Sequence, residues 1–243
     1  RQVSSVEDYL PLLAADADEA VALAHNLLVN VTAFFRDPEC FEALAAKLRP
    51  YVEDKGSNEQ YRVWVPGCAT GEEVYTIAML FSELLDHPVH LAHQLKIFGT
   101  DLDEGSLATA RRGLYPLAAA QAIPPRLLKR FFSEGSQGIE IQEAIRECAV
   151  FARHNVTEDP PFPRLDLISC RNTLIYFTAP LQEQVLALFR YGLLPGGLLM
   201  LGSSELLGNR TPGFASADQE HRLYSRTAEN PRTSLPAISG PSA

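Results

Sequence analysis

The sequence predicts a doubly wound α/β sheet, and three observations carry that expectation. Val63-Trp64-Val65 is a short β-branched and aromatic run that breaks at Pro66-Gly67, after which apolar residues return at Val74, Ile77, Ala78 and Phe81 with helical spacing. Leu95 to Thr100 form a second run of strand character, followed by a helical Ser106 to Arg112 that Gly113 closes. Leu165 to Cys170 and Leu198 to Leu201 repeat the pattern around a helical Pro180 to Leu193, with Leu194-Pro195-Gly196-Gly197 as the turn into the later strand. Strands separated by helices need crossover connections, and these build a parallel sheet with helices on both faces.

The remaining elements follow in chain order. Residues 5 to 29 carry Val, Leu and Ala at helical intervals with acidic residues between them, which predicts one or two helices. The next stretch, Val29 to Pro38, is too polar at Asn30, Thr32 and Arg36 for a plain core strand. Asp37-Pro38 reads as N-cap and first helical position for a helix over Glu39 to Tyr51, and residues 53 to 60 as a polar loop. Between Pro124 and Phe151 the pattern changes: Arg126 to Phe132 are helical, Gly135 to Gly138 form a turn, and Ile139 to Ile141 and Ala149 to Phe151 flank it as short strands. That predicts a small antiparallel insertion at 124–150. The main sheet resumes at Val150 to Asn155, and His221 to Ser225 offers a terminal edge strand.

Composition limits the function classes. A chain of 243 residues with 46% hydrophobic and 21% charged residues can bury one good core. Twenty-one basic residues against 30 acidic ones give a net charge of −9, and no basic face large enough to track a phosphate backbone is evident, so nucleic acid is not an expected partner. Cys40, Cys68, Cys148 and Cys170 form no CxxC pair, which predicts reduced thiols and a cytoplasmic setting. No apolar run reaches about 18 residues, so no membrane insertion is expected. The chain opens at Arg1 and closes in a Pro-, Ser- and Gly-containing stretch after Asn230, as a domain of a longer protein with a flexible linker at 227–243 would.

The candidate site lies in the strand, glycine loop and helix of residues 63 to 81. In a parallel sheet this turn falls at the carboxyl edge, where ligands bind, and glycines such as Gly67 let backbone approach them closely. A phosphate loop would need Lys-Ser/Thr after its last glycine; Gly67-Cys68-Ala69-Thr70-Gly71-Glu72-Glu73 instead puts two carboxylates at the helix start. Polyphosphate would be repelled there, whereas a ligand with a cationic end would not, the alternative being a glycine turn that merely joins strand to helix. S-adenosylmethionine, with its sulfonium and ammonium, is such a ligand. Asp101, ending the second strand, is placed either to accept hydrogen bonds from both ribose hydroxyls of a nucleoside or to cap the next helix. Asn155 and Asn172 end later strands and could meet an adenine edge or an amino acid head group, or simply form turns. His87, His90 and His93 recur at three-residue spacing, but Pro88 interrupts a helix that would align them, and no carboxylate or Cys completes a metal site. Asp159-Pro160-Pro161-Phe162 is similar to the catalytic clamp of amino-directed DNA methyltransferases, yet it precedes its strand instead of following it, and reads as a loop.

Several motifs in order resemble one family. They are Asn30-Val-Thr-Ala-Phe-Phe-Arg36-Asp-Pro38, Gly67 to Glu73, Thr100-Asp101-Leu-Asp103, Ala110-Arg-Arg-Gly-Leu-Tyr115, Cys170-Arg-Asn-Thr-Leu-Ile-Tyr-Phe177, and Pro195-Gly-Gly197 with Gly202-Ser-Ser-Glu205. Over roughly residues 27 to 226 the chain looks like the chemotaxis receptor glutamate methyltransferases, the CheR family, in the form embedded in multidomain sensory proteins. The resemblance implies a seven-stranded S-adenosylmethionine-dependent methyltransferase sheet over 30–226 with the inserted subdomain at 124–150, and a remnant of a helical region at 1–29. It implies cofactor contacts at Asn30, Thr32, Arg36, Glu73, Asp101, Asn155, Val156, Arg171 and Asn172, and sets Arg36 and Tyr176 beside the reacting methyl. It further implies S-adenosylmethionine as cofactor, S-adenosylhomocysteine as product, and methyl ester formation on glutamates of a receptor-type signalling helix. The alternative is a non-catalytic module that binds S-adenosylmethionine or S-adenosylhomocysteine and reports it to neighbouring domains. Family members carry a basic helix in their amino-terminal region, and residues 1 to 25 here hold no lysine. The turn at Gly135 to Gly138 is also shorter than in members that grip a receptor's carboxyl-terminal peptide, so recognition without such a tether is expected.

Overall fold

The computed structural model describes residues 6–15, 32–55, 59–86, 90–207 and 212–228. The chain divides into two units, Arg1–Val31 and Thr32–Ala243. Of the first, helix Val6–Ala15 is described, and the helical expectation for residues 16 to 29 lies outside the described residues.

The second unit is the expected α/β sheet. Its strands in chain order are β1 (Tyr61–Pro66), β2 (Leu95–Asp101), β3 (Leu114–Tyr115), β4 (Phe132–Gly135), β5 (Gly138–Ile141), β6 (Ala149–Arg153), β7 (Leu165–Cys170), β8 (Leu193–Leu201), β9 (Phe214–Asp218) and β10 (Leu223–Arg226). Seven of them form one sheet in the order β6-β2-β1-β7-β8-β10-β9, and β3-β5-β4 form a separate small one. From β6 to β8 every pairing is parallel; β10 runs antiparallel to both β8 and β9.

Successive side chains of a strand point to opposite faces, and the two faces here carry two separate cores. Val63, Val65, Ile97, Leu167 and Met200 join Leu44, Ile77 and Phe81, which come from helices Pro38–Lys55 and Glu72–Leu84. Their immediate neighbours in sequence, Trp64, Ile168, Leu199 and Leu201, pack on the other face against Val185 and Phe189 of helix Ala179–Gly192. Strands buried on both faces carry apolar residues on both, which is why the runs Val63 to Val65 and Leu167-Ile168 stood out in the sequence.

Several elements depart from the sequence expectation. Ala149–Arg153 pairs with β2 in the large sheet, so the hairpin partner of β5 is Phe132–Gly135 instead. The small sheet also recruits Leu114–Tyr115, two residues that carry too little pattern to stand out. Its turn is a tight Ser136-Gln137 between the paired Gly135 and Gly138, and a Cβ on Gly138 would strike the Tyr115 carbonyl. Leu193 to Gly197, read as helix end and turn, already pairs with β7, through a register irregularity between Leu165 and Leu167. The helix that begins at Pro38 runs one turn past Tyr51, to Lys55, with Pro50 inside it.

The amino ends of the strands are held by structure-forming contacts. Asp166 is buried in β7 and accepts hydrogen bonds from the Tyr51 hydroxyl at 2.7 Å and the Arg62 amide at 2.7 Å. Burial, reinforced by the Asp166 carboxylate, pushes the Tyr51 phenol up and keeps it a donor. A hydrogen bond to a buried charge is worth about 1.5–3 kcal/mol. Tyr51→Phe should therefore lower the unfolding free energy by about that amount in denaturant titration, with binding at the opposite edge unchanged.

Candidate functional site

The carboxyl ends of β1, β2 and β7 meet in three loops that fold onto one another. After β1 the chain turns through Gly67 and Ala69 with positive φ and enters the next helix at Gly71, which is left-handed and gives no side-chain cap. A Cβ on Gly67 would collide with the Thr173 hydroxyl from the loop after β7, so glycine is needed for that close approach. Asp101 holds the loop: its Oδ2 accepts from the Ala69 amide at 2.8 Å and its Oδ1 from the Asp103 amide at 2.9 Å. Asp101 is not the helix cap. That role belongs to Asp103, which accepts from the Gly105 and Ser106 amides.

The two carboxylates that open the helix Glu72–Leu84 part company. Glu72 turns back to the Thr70 hydroxyl, whereas Glu73 reaches across to β7, accepting from Ser169 Oγ at 2.7 Å and from Arg171 Nη1 at 3.3 Å. Arg171, with its side chain 1% exposed, also donates through Nη2 to Asp37 Oδ2 at 2.6 Å and lies over the Phe41 ring at 5.2 Å. Its Nε is buried without a hydrogen-bond partner among the described residues. Asp37 thus spends its carboxylate on Arg171, not on capping the helix it precedes.

Burial decides the state of Glu73. It pushes the carboxyl above its ordinary range, and the neighbouring Arg171 and Ser169 only partly offset it. Burial likewise pushes the Cys68 and Cys170 thiols well up, which removes them as nucleophiles at neutral pH. Asp37 and Glu73 share the Arg171 guanidinium, and Asp101 accepts from the Ala69 and Asp103 amides, so carboxylates outnumber that guanidinium here. Backbone strain gathers here too. Phe35, Asp37, Ala69 and Asn172 all have positive φ without being glycine, a conformation that persists where surrounding contacts enforce it.

The other predicted positions fall as follows. Asn30 lies outside the described residues, and Thr32 opens the described part of the second unit. Phe34 wedges against the Tyr115 and Phe132 rings and the Phe35 amide donates to Thr76 Oγ1, which fixes the segment that carries the exposed Arg36. Asn172 follows Arg171, and Tyr176 ends the short helical turn Leu174–Tyr176 with 58% of its surface exposed. Asn155 and Val156 follow β6, two strands from β1. The Asn155 side chain accepts from the Thr157 amide and hydroxyl, forming a turn, and Val156 packs into the core around Trp64. Neither is hydrogen-bonded to the Arg171 group among the described residues. His90 and His93 stack on each other, and His87 lies outside the described residues. In the Asp159-Pro-Pro-Phe loop, Asp159 accepts from the Asn155 amide and Phe162 packs on Trp64, as a structural loop would. Sequence reasoning gave Ser169 no role and read Asp37 only as a helix cap, whereas the first donates to Glu73 and the second accepts from Arg171. Asp37 carried a capping signal that masked its second use, and Glu205 stood in a quoted motif with no role attached.

A family model described as "CheR methyltransferase, SAM binding domain" matches residues 30–223. The chain belongs to the CheR methyltransferase family. An uncharacterized 104.1 kDa protein of Rhodobacter capsulatus is 42% identical over 225 residues, covering 92% of this chain and 24% of that protein. The chemotaxis protein methyltransferase of Salmonella typhimurium is 33% identical over 220 residues, covering 87% of this chain and 73% of the relative. Chemotaxis protein methyltransferase 2 of Pseudomonas aeruginosa is 34% identical over 213 residues, covering 84% and 73%. The chain therefore spans about a quarter of the Rhodobacter relative's length. S-adenosylmethionine is the cofactor of this CheR domain, and the residues present fit it. The excess of carboxylates suits an ammonium and ribose hydroxyls, and the partnerless Arg171 Nε is a buried donor suited to a carboxylate end.

The raised Glu73 pKa has a consequence for stability. A group whose folded pKa lies above its unfolded value contributes stability below the unfolded value and loses it as pH rises through the folded one. The sign shows in the pH trend: the thermal midpoint of Glu73→Gln relative to that of the unmodified domain should rise as pH rises through the range in which this carboxyl titrates, and calorimetric scans across pH check it.

Proposed function

We propose that this domain transfers a methyl group from S-adenosylmethionine to a glutamate side chain of a protein, with a receptor-type signalling helix as the substrate class. The observation that carries the reading is the Asp37–Arg171–Glu73 chain at the sheet edge, next to which both reaction-side residues, Arg36 and Tyr176, lie in sequence. Arg36 directly precedes Asp37, and Tyr176 closes the turn that begins after Arg171. Glu73 and Arg171 meet the amino acid end of the cofactor, Asp101 the ribose, and Gly67, Thr32, Asn155, Val156 and Asn172 line the rest. The cofactor supplies a methyl on a sulfonium, and S-adenosylhomocysteine is left once the new ester bond has formed.

A glutamate, with an ordinary pKa of about 4.3, is already ionised at neutral pH, so no general base is needed. The protein must instead bring that anion to an edge already rich in carboxylates. Arg36, exposed on its fixed segment, offsets the repulsion and steers the incoming carboxylate, while the Tyr176 hydroxyl sets its angle. Orientation of this kind is worth about 7–11 kcal/mol of barrier. Exposure of both side chains supports turnover over passive binding, since a module that only holds the cofactor has no use for them at the rim.

A cytoplasmic setting and neighbouring domains in a longer chain accompany this reading. The four buried, unpaired cysteines support the first, and the length of the Rhodobacter relative supports the second. We read 30–226 as the methyltransferase domain with 124–150 inserted, 1–29 as a remnant of an amino-terminal helical region and 227–243 as linker.

Incubation with radiolabelled S-adenosylmethionine and a lysate of the source cell should give protein-bound label that base releases as methanol. Arg36→Ala should cut that transfer about a hundredfold, as loss of a charge-stabilising group does, while moving the S-adenosylhomocysteine dissociation constant far less. Binding without any base-labile label would return the domain to the class of cofactor sensors.

A further inference from the structure

The Glu205 carboxylate, 5% exposed, is wrapped by backbone amides. Its Oε2 accepts from Gly202 at 2.7 Å and Asn172 at 3.0 Å, and its Oε1 from Leu174 at 2.7 Å and Ile175 at 3.3 Å. These donors belong to two segments that follow neighbouring parallel strands, β7 and β8. Gly202 is required for the fit, because a Cβ there would lie 2.7 Å from Glu205 Oε2 and 2.9 Å from the Asn172 nitrogen. From the opposite side, Gln182 Nε2 donates to the Leu174 carbonyl at 2.9 Å and the Phe177 carbonyl at 3.1 Å. The turn 172–177 is therefore gripped by its amides through Glu205 and by its carbonyls through Gln182. Asn172 at φ 57 shows that the entry to the turn is imposed, not relaxed.

The core contact of this turn is made by Leu174, which packs in the cluster around Trp64, and not by the polar arrangement itself. What it does fix is the backbone from which Tyr176 projects into solvent. We propose that Glu205 is a positioning residue: it holds the Leu174–Tyr176 turn in register with the Arg171 loop, so that the Tyr176 hydroxyl is presented at one angle. This rests on the methyl-transfer reading for its catalytic consequence, but not for its structural content. A carboxylate suits the task because only an anion with two oxygens can accept from four amides at once. The isosteric amide has one oxygen, and its NH2 would face two N–H donors.

The test uses the domain labelled with 3-fluorotyrosine, in which the Tyr176 resonance is assigned by its disappearance in Tyr176→Phe. The expected result is one narrow line for Tyr176 in the unmodified protein and a broadened or split line in Glu205→Gln, with the other tyrosine lines unmoved. Amide hydrogen exchange at Asn172, Leu174 and Ile175 should accelerate at least tenfold while β1 and β7 stay protected. At saturating cofactor, Glu205→Gln should lower kcat at least tenfold in the otherwise unmodified enzyme and less than threefold when added to Tyr176→Phe. Should Glu205→Gln not fold, Gln182→Met loosens the same turn from its carbonyl side and is read by the same three measurements. An unchanged Tyr176 line, or an equal loss of kcat in both backgrounds, would overturn the proposal. Changed resonance and exchange together with no methyl transfer by the unmodified protein would count against the methyl-transfer reading and leave the positioning role standing.

Discussion

One buried guanidinium organises this domain's working edge. Arg171 has its side chain almost wholly out of water, and it must find acceptors or carry a large desolvation penalty. It finds them on two different segments, Asp37 ahead of one helix and Glu73 at the start of another, and so ties both to the end of β7. Three pieces of chain far apart in sequence are thereby held to one geometry. Buried ion pairs of this kind contribute little net stability compared with apolar packing, because desolvation cancels most of the attraction. The raised pKa of Glu73 says the same thing locally, since burial outweighs the attraction of Arg171. The arrangement is better understood as a site kept short of one cation than as a device for stability.

The sheet explains why such a site can be tolerated. Two apolar cores, one on each face of β1 and β7, carry the stability of the domain and leave the carboxyl edge free to hold strained and charged groups. Positive φ occurs there at Phe35, Asp37, Ala69 and Asn172, and also at Arg164 just before β7, where the amino ends of the strands are closed by Asp166 with its Tyr51 and Arg62 donors. Loops anchored on rigid strands can differ between relatives without disturbing the sheet, so the substrate side of a CheR domain can change while the cofactor side stays.

Much of this was legible in the sequence. Short apolar and β-branched runs announced β1, β2 and β7, and the glycine loop with its acidic helix start pointed to a ligand with a cationic end. Short or edge pieces were not legible: Leu114–Tyr115 and Phe214–Asp218 are too brief or too polar to show a period, and both exist because a neighbouring strand offers them a partner. Local signals also misled where one residue had a long-range use. Asp37 looked like a helix cap, yet its carboxylate goes to Arg171, 134 residues away. Asp101 could have been a cap, yet Asp103 two residues later takes that role. Glu205 stood in a short motif with Gly202, but its other three donors lie in the loop after β7, whose proximity depends on the finished sheet.

If Arg171 assembles the site through its two-armed geometry, charge alone will not replace it. A lysine keeps the positive charge but cannot bridge Asp37 and Glu73 in one plane. Titration calorimetry of S-adenosylhomocysteine against Arg171→Lys, with the fold checked by circular dichroism, tests this most directly. The account predicts a folded protein whose affinity is at least about tenfold weaker, the effect of losing about 1.4 kcal/mol. A folded Arg171→Lys protein with the affinity of the unmodified domain would contradict it.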